Sequence, residues 1–107
     1  LITFDYDFDL SIEWFKTHPR IRFHLYRVLQ ELLQNIHKHS SATHAYIKLY
    51  QEESSIKLIV IDNGKGFVKT AQKGIGISNI HNRLKEINGT LTIESTKGTT
   101  FIITVKL

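Results

Sequence analysis

Residues 21–39 read IRFHLYRVLQELLQNIHKH, and their apolar side chains recur at the spacing of one helical stripe. The stripe consists of Leu25, Leu29, Leu32, Leu33 and Ile36. Such a stripe is stable only when an apolar layer covers it, so residues 21–39 predict an amphipathic helix packed on a hydrophobic core. The rest of the chain must supply that layer.

Strand patterns lie on both sides of this helix. Residues 1–8 alternate apolar and polar side chains, which predicts a half-buried strand. Residues 45–50 and 56–62 are rich in Ile, Val and Tyr and predict a hairpin. Residues 90–94 and 100–106 alternate again and predict a second hairpin.

A second helix is predicted where Ile77, Ile80, Leu84 and Ile87 share one face, with Gly89 in the left-handed position that commonly ends a helix. The order strand, helix, strand pair, helix, strand pair does not alternate as a doubly wound parallel sheet does. It predicts an α+β fold, a two-layer α/β sandwich with the helices on one face of a mixed, largely antiparallel sheet.

The composition is that of an ordinary folded domain. The 107 residues suffice for one core, with 41% hydrophobic and 22% charged residues. The absence of Cys excludes disulfides, thiolate metal sites and cysteine nucleophiles. The net charge of +4 suits a polyanionic ligand, although scattered basic residues are more typical of a solvated surface. Because the chain contains no Met, we expect it to be a segment of a longer protein.

The stretch 63–73 is long for a connection between a strand and a helix, and long ordered loops tend to be functional. It carries Gly64 and Gly66, and the predicted helix after it opens with Gly74 and Gly76. Glycines let a ligand approach the backbone closely, and the first N–H groups of a helix attract phosphate. The pattern is neither a Rossmann fingerprint nor a P-loop, so turns without a ligand are the alternative.

Four polar side chains share one arc of the first helix, opposite the apolar stripe: Glu31, Asn35, Lys38 and His39. A carboxylate, an amide oxygen, a cation and an imidazole that converge there would suit a hydrated Mg²⁺ bound to phosphates. The alternative is a face that only contacts water, as in most amphipathic helices.

Asp62 ends a strand that is otherwise largely apolar, so its carboxylate is expected at the edge of the apolar layer, where a charge needs a partner. The carboxylate could accept a hydrogen bond from an amino group of a ligand. Alternatively, it caps the following turn through the backbone, as Asp often does.

Four motifs in this order resemble those of the ATP-binding domain of the GHKL superfamily. Residues 30–40 (QELLQNIHKHS) are similar to the N box of histidine kinases, and residues 62–67 (DNGKGF) to their G1 box. Residues 73–77 (KGIGI) are similar to the G2 box, and residues 98–101 (GTTF) to the closing Gly-Thr element. The resemblance covers most of the chain and implies a Bergerat-type α+β sandwich.

The superfamily contains bacterial sensor histidine kinases, heat-shock chaperones, type II topoisomerase ATPase subunits and MutL-type repair proteins. The Gln-Glu opening and Lys-His ending of the N box are most similar to sensor kinases that pair with response regulators of the NarL/LuxR type. The intact motifs argue against a degenerate scaffold.

The resemblance implies roles for individual residues in binding ATP and Mg²⁺. Asn35 would hold Mg²⁺ through its carbonyl oxygen, and Glu31 would orient a metal-bound water or polarise the attacking imidazole. Lys38 and His39 would contact phosphate or ribose oxygens. Asp62 would accept a hydrogen bond from the adenine amino group.

Further nucleotide-binding positions follow from the same resemblance. They are Gly64, Gly66, Lys73, Gly74, Gly76 and Thr99. The first two glycines would leave room for the adenine ring, and the last two would offer backbone N–H groups to the phosphates. The threonine would support a water network beside the adenine, and residues 63–73 would form a lid over the nucleotide.

The implied function is that of a protein histidine kinase. Residues 1–107 would be the catalytic ATP-binding domain, which donates the γ-phosphoryl group of Mg-ATP to a histidine on a separate dimerisation domain. No histidine here is followed by Glu or Asp, as the phosphoacceptor of such kinases usually is, so we expect no autophosphorylation by this chain alone.

The implied partners are the phosphoacceptor helix of the parent kinase and a downstream response regulator, without direct nucleic-acid contact. The implied location is the cytoplasmic portion of a membrane-anchored sensor. The alternative function is a nucleotide-binding ATPase or sensor module of the same superfamily without histidine kinase activity. The other histidines show no metal-ligand spacing, so we expect them in structural or surface roles.

Overall fold

The computed structural model describes residues 2–39, 41–64, 75–95 and 97–107. The elements in chain order are β1 (Thr3–Phe8), a 3₁₀ turn (Trp14–Lys16), α1 (Pro19–His39), β2 (His44–Glu52), β3 (Ser55–Asp62), α2 (Ile75–Lys85), β4 (Gly89–Ser95) and β5 (Thr99–Lys106). This order confirms the predicted sequence of strand, helix, hairpin, helix and hairpin.

The strands form one five-stranded sheet in the order β1-β2-β3-β5-β4. β1 is parallel to β2, and the other three pairs are antiparallel. The sheet is therefore mixed and largely antiparallel, as predicted. The two predicted hairpins are β2–β3 and β4–β5, and they join through β3 and β5.

The core lies between the two helices and one face of the sheet. On the three central strands, alternate residues are buried, and these are Ala45, Ile47, Ile56, Leu58, Val60, Phe101, Ile103 and Val105. Asp62 and Thr99 continue the same alternation at the end of their strands, and both are buried. The face that builds the core therefore also carries a buried carboxylate at its edge.

α1 begins two residues earlier than predicted, at Pro19. The backbone N–H of Arg20 donates to His18 Nδ1 at 3.1 Å, so His18 caps the helix. Proline is favourable at the first helical position because it has no N–H to leave unpaired. The helix ends at His39, as predicted.

Contacts with α1 hold α2 in place. Ile80 and Leu84 of α2 are fully buried in the shared core. At the surface, Arg20 forms an ion pair with Glu86 just beyond α2, and the Arg83 guanidinium lies 5.8 Å from the Phe23 ring centroid. Neither described helix is long and apolar enough to cross a membrane.

The prediction of a half-buried first strand is wrong. All six residues of β1 are exposed, and Tyr6 retains 66% of its accessible surface. β1 is an edge strand, whereas α2 packs against β4 at the opposite edge and against α1. The two described helices therefore leave β1 uncovered.

The prediction that Gly89 ends the second helix in a left-handed conformation is also wrong. The left-handed residue is Asn88, with a φ of 54°, and Gly89 is the first residue of β4. A Cβ at Gly89 would lie 2.9 Å from Leu84 Cδ2 and 3.2 Å from Val105 Cγ2. The glycine therefore favours close packing against Leu84 and Val105 and is not selected for its φ.

Gly98 is constrained both by its φ and by close packing, whereas Gly89 is constrained by packing alone, and this difference predicts different effects on stability. Its φ is +129°, and a Cβ there would lie 2.3 Å from the carbonyl oxygen of Asp62. Gly98→Ala is expected to lower the free energy of unfolding by about 3 kcal/mol, because neither the φ nor a backbone oxygen can adjust cheaply.

Urea unfolding would measure this change, with Gly89→Ala as the matched control. At Gly89 the nearest atom is the end of a side chain, so the expected loss is only about 1 kcal/mol. Equal losses in the two variants would contradict the prediction.

Candidate functional site

Asp62 is the centre of the candidate site. It is the last residue of β3 and retains only 4% of its accessible surface. Its neighbours across the sheet are Ala45 of β2 and Thr99 of β5. The backbone N–H of Gly64 donates to Asp62 Oδ1 at 2.8 Å, so the carboxylate caps the turn that follows it.

Burial makes this carboxylate unusual electrostatically. Desolvation raises the pKa of Asp62 above its ordinary value, and the backbone N–H groups of Gly64 and Thr99 offset part of that increase. The cap therefore compensates the desolvated charge only in part. A hydrogen-bond donor on a ligand would stabilise the ionised form further.

Thr99 lies beside Asp62 in the sheet. It is buried and is the direct cross-strand partner of the aspartate. Gly98, just before it, has no side chain and lies against the Asp62 backbone. Close packing therefore surrounds the base of the carboxylate.

Glu31 and Asn35 lie one helical turn apart on α1, and both are partly buried. Neither side chain makes a hydrogen bond or ion pair with another residue in the described part of the chain. A partly buried polar side chain of this kind can bind water or a ligand. Lys38 is exposed, and His39 is the last residue of α1.

The predicted placement of this arc needs one correction. The most buried side chains of α1 are Leu25, Val28, Leu32 and Ile36. The stripe is therefore centred closer to Val28 than expected, and Leu29 and Leu33 are only partly buried. As a result, Glu31 and Asn35 lie beside the buried stripe and not opposite it, which explains their partial burial.

The donor set suits a cation that keeps most of its water. Within residues 2–39, 41–64, 75–95 and 97–107, no group of three His, Asp or Glu side chains could hold a metal ion. Mg²⁺ often binds through one or two protein oxygens, with water and phosphate oxygens completing its shell. The amide oxygen of Asn35, with the Glu31 carboxylate nearby, fits that chemistry.

Asn63, predicted only as the first residue of the lid, makes contacts beside Asp62 that the sequence patterns did not predict. Its Oδ1 accepts from the backbone N–H groups of Thr43 and His44, each at 2.9 Å. Its Nδ2 donates to Thr43 Oγ1, also at 2.9 Å. These bonds join the end of β3 to the start of β2, a few residues after α1 ends. The only signal in the sequence is an Asn after a strand, which commonly bonds to backbone.

Several predicted nucleotide-binding positions cannot be placed. Gly66, Lys73 and Gly74 lie outside the described residues, as does most of the predicted lid over 63–73. Gly76 is the second residue of α2, so it lies in the first turn of that helix, as predicted. The structure brings together Asp62, Gly64 and Thr99, where the central strand β3 ends and β5 begins.

Comparison with known proteins identifies the family. The family of histidine kinase-, DNA gyrase B- and HSP90-like ATPases matches residues 21–107. The chain belongs to this family. Nucleotide use follows from membership in an ATPase family, and the predicted resemblance to histidine kinase ATP-binding domains is confirmed.

The curated relatives are sensor kinases. The chain is 34% identical over 99 residues to the signal transduction histidine-protein kinase/phosphatase DegS of Brevibacillus brevis, covering 89% of this chain and 25% of DegS. It is 37% identical over 86 residues to the sensor histidine kinase LiaS of Bacillus subtilis, covering 78% of this chain and 24% of LiaS. The chain therefore spans about a quarter of the length of these relatives.

Solved structures confirm the predicted fold. The histidine kinase domain of the blue-light activated kinase of Erythrobacter litoralis EL346 superposes with a TM-score of 0.86 at 14% identity. The match covers 99% of this chain and 52% of that one. The chain is thus a histidine kinase-type ATPase domain, homologous to two-component sensor kinases.

The raised pKa of Asp62 generates a pH prediction. Between the unfolded value of 3.8 and the raised folded value, the unfolded chain releases its proton while the folded chain retains it. The contribution of Asp62 to the free energy of unfolding is therefore expected to fall as the pH rises through this window. Asp62→Asn should remove that fall, as measured by urea unfolding at a series of pH values.

Asp9 is the matched control, because the folded chain lowers the pKa of Asp9 whereas it raises the pKa of Asp62. Hydrogen bonds from the Ser11 hydroxyl, the Ser11 N–H and the Gln51 N–H lower the pKa of this exposed carboxyl. The contribution of Asp9 to the free energy of unfolding should rise as the pH rises to 3.8 and then stay constant. An unchanged pH dependence in Asp62→Asn would contradict the burial argument.

Proposed function

We propose that this domain binds Mg-ATP where β3 ends and β5 begins, at Asp62, Gly64 and Thr99, and donates the γ-phosphoryl group to a histidine on a separate dimerisation domain. The observation that carries the proposal is the environment of Asp62. Its carboxylate is buried, its pKa is raised, and the hydrogen bond from its own turn compensates only part of the cost of burial. Such groups are concentrated at functional sites.

The adenine end of the nucleotide is assigned to Asp62. An ionised carboxylate accepts hydrogen bonds only, so it pairs with the adenine amino group and repels the carbonyl oxygen that guanine carries at that position. Gly64 and Gly66 are assigned the role of leaving space for the ring, and Thr99 that of supporting the carboxylate from the neighbouring strand. This assignment predicts discrimination between ATP and GTP.

The phosphate end is assigned to α1 and to the first turn of α2. Asn35 offers an amide oxygen to Mg²⁺, which when bound neutralises charge on the phosphates. Glu31, one turn earlier, is assigned the role of orienting water or the incoming imidazole. The remaining phosphate contacts are assigned to Lys38, His39, Lys73, Gly74 and Gly76.

Phosphoryl transfer requires little covalent chemistry from the protein, so the proposed role of these residues is positioning and charge neutralisation.

The acceptor is assigned to a dimerisation helix of the parent kinase, with a response regulator as the downstream partner. We place residues 1–107 in the cytoplasmic part of a membrane-anchored sensor. Support comes from the sensor kinases to which the chain is homologous.

The adenine assignment is tested with Asp62→Asn. The amide presents an NH₂ group or a weaker acceptor to adenine, so ATP affinity is expected to fall roughly 5- to 150-fold, or about 1–3 kcal/mol. Calorimetric titration with ATP and with GTP would measure the change, and circular dichroism would confirm the fold. A folded variant that binds ATP as the wild type does would contradict the assignment.

The phosphate assignment is tested with Asn35→Ala. We expect ATP affinity to lose its dependence on Mg²⁺, and transfer of labelled phosphate to a dimerisation segment with an exposed acceptor histidine to be lost. Adenine-driven affinity without Mg²⁺ should persist, because the two ends are chemically separate. Gln34→Ala, at an exposed neighbouring position, is the control and should transfer normally.

Two results would contradict the phosphate assignment or the kinase function. If metal-free and metal-loaded titrations still differ in Asn35→Ala as in the wild type, Asn35 does not bind the metal. If the wild-type chain binds Mg-ATP tightly but transfers phosphate to no such segment, the nucleotide-sensor alternative is favoured over the kinase.

A further inference from the structure

Asn63 makes an unusually complete set of hydrogen bonds for an exposed residue. Two backbone N–H donors, from Thr43 and His44, meet the same side-chain atom, which must therefore be the carbonyl oxygen. The side-chain NH₂ donates to the Thr43 hydroxyl. The backbone N–H of Asn63 also donates to the carbonyl oxygen of His44, at 3.1 Å.

These bonds act at the point where the proposed nucleotide contact is made. Asn63 lies between Asp62 and Gly64, whose N–H caps the Asp62 carboxylate. On the other side, Gly98 is so close that an added Cβ would lie 2.3 Å from the Asp62 carbonyl oxygen and 3.3 Å from Asn63 Cα. The turn that presents the carboxylate is thus held between β5 on one side and the start of β2 on the other.

The same bonds link this turn to the end of α1. Thr43 follows the last residue of the helix, His39, by only four positions, and Ala42 between them is buried. Holding Thr43 to Asn63 therefore limits where the last turns of α1 can lie relative to Asp62. Asn35 and Lys38 are carried on those turns.

We propose that Asn63 is a positioning residue for nucleotide binding, which fixes the position of the Asp62 carboxylate relative to the end of α1. The proposal rests on the proposed function of Asp62 as the adenine acceptor. Hydrogen bonds of an exposed amide compete with water and add little to folding. Their effect is therefore on geometry, and it acts through Asp62 and not by contact with the nucleotide.

The experiment compares four variants by ATP and GTP titration at pH 8, where carboxylates are ionised. Asn63→Ala removes all three side-chain hydrogen bonds, and ATP affinity is expected to fall about tenfold together with the preference for ATP over GTP. Asn63→Asp keeps an acceptor for both backbone N–H groups and should restore ATP affinity to within about twofold of the wild type.

The other two variants are controls. Thr43→Val removes the acceptor of the Asn63 NH₂ group but keeps both bonds to Asn63 Oδ1, so ATP affinity should stay within about twofold of the wild type. Asp62→Asn reports on the proposed function itself. Urea unfolding of each variant separates altered geometry from lost stability, and we expect the midpoint of Asn63→Ala to stay near that of the wild type.

The outcomes separate failure of this inference from failure of the proposed function. If Asp62→Asn weakens ATP binding and a folded Asn63→Ala does not, the positioning role is overturned and the adenine assignment stands. Failure of Asn63→Asp to restore affinity also overturns it, as does loss of folding in Asn63→Ala, which would make Asn63 a folding residue. If Asp62→Asn binds ATP normally, the assignment of adenine to Asp62 in the proposed function is wrong, and the positioning role of Asn63 fails with it.

Discussion

Antiparallel pairing between β3 and β5 is the contact on which both the core and the candidate site depend. It joins two hairpins that α2 separates in the chain, and its register places Val60 opposite Phe101 beneath the helices. Two residues further along the same face, it places Asp62 opposite Thr99. A shift of one residue would turn every side chain of β5 to the other face. The register that builds the core therefore also builds the site.

The site combines a poorly solvated charge with tightly packed backbone. Burial raises the free energy of the ionised Asp62 carboxylate, and the cap from Gly64 compensates only in part. The turn cannot relax easily, because Gly98 packs against it from β5 and Asn63 ties it to β2. A carboxylate held in this way slightly lowers the free energy of unfolding. It can accept a hydrogen bond from a ligand without rearrangement, as expected of a preorganised binding site.

Sequence patterns predicted the elements well wherever the signal is local. The helical stripe predicted α1, the Ile, Val and Tyr content of residues 45–50 and 56–62 predicted the first hairpin, and alternation predicted the second, because composition and periodicity are properties of the element itself. The patterns gave the wrong burial for β1 and the wrong role for Gly89, because both depend on whether another element packs against them. Of the site, Asp62 could be predicted because a carboxylate ends an apolar strand. Asn63 could not, because its partners lie 19 and 20 residues away on the far side of a hairpin.

By itself the sequence determined the class of fold, the order of its elements and the family, since periodicity and short motifs are properties of neighbouring residues. Only the tertiary structure decided the strand order, the uncovered edge at β1 and the connection from Asn63 to the end of α1. The physical reason is that apolar burial has no direction, so many arrangements of the same elements would cover the same stripes. The choice among them depends on register and hydrogen bonds between segments that are distant in the chain.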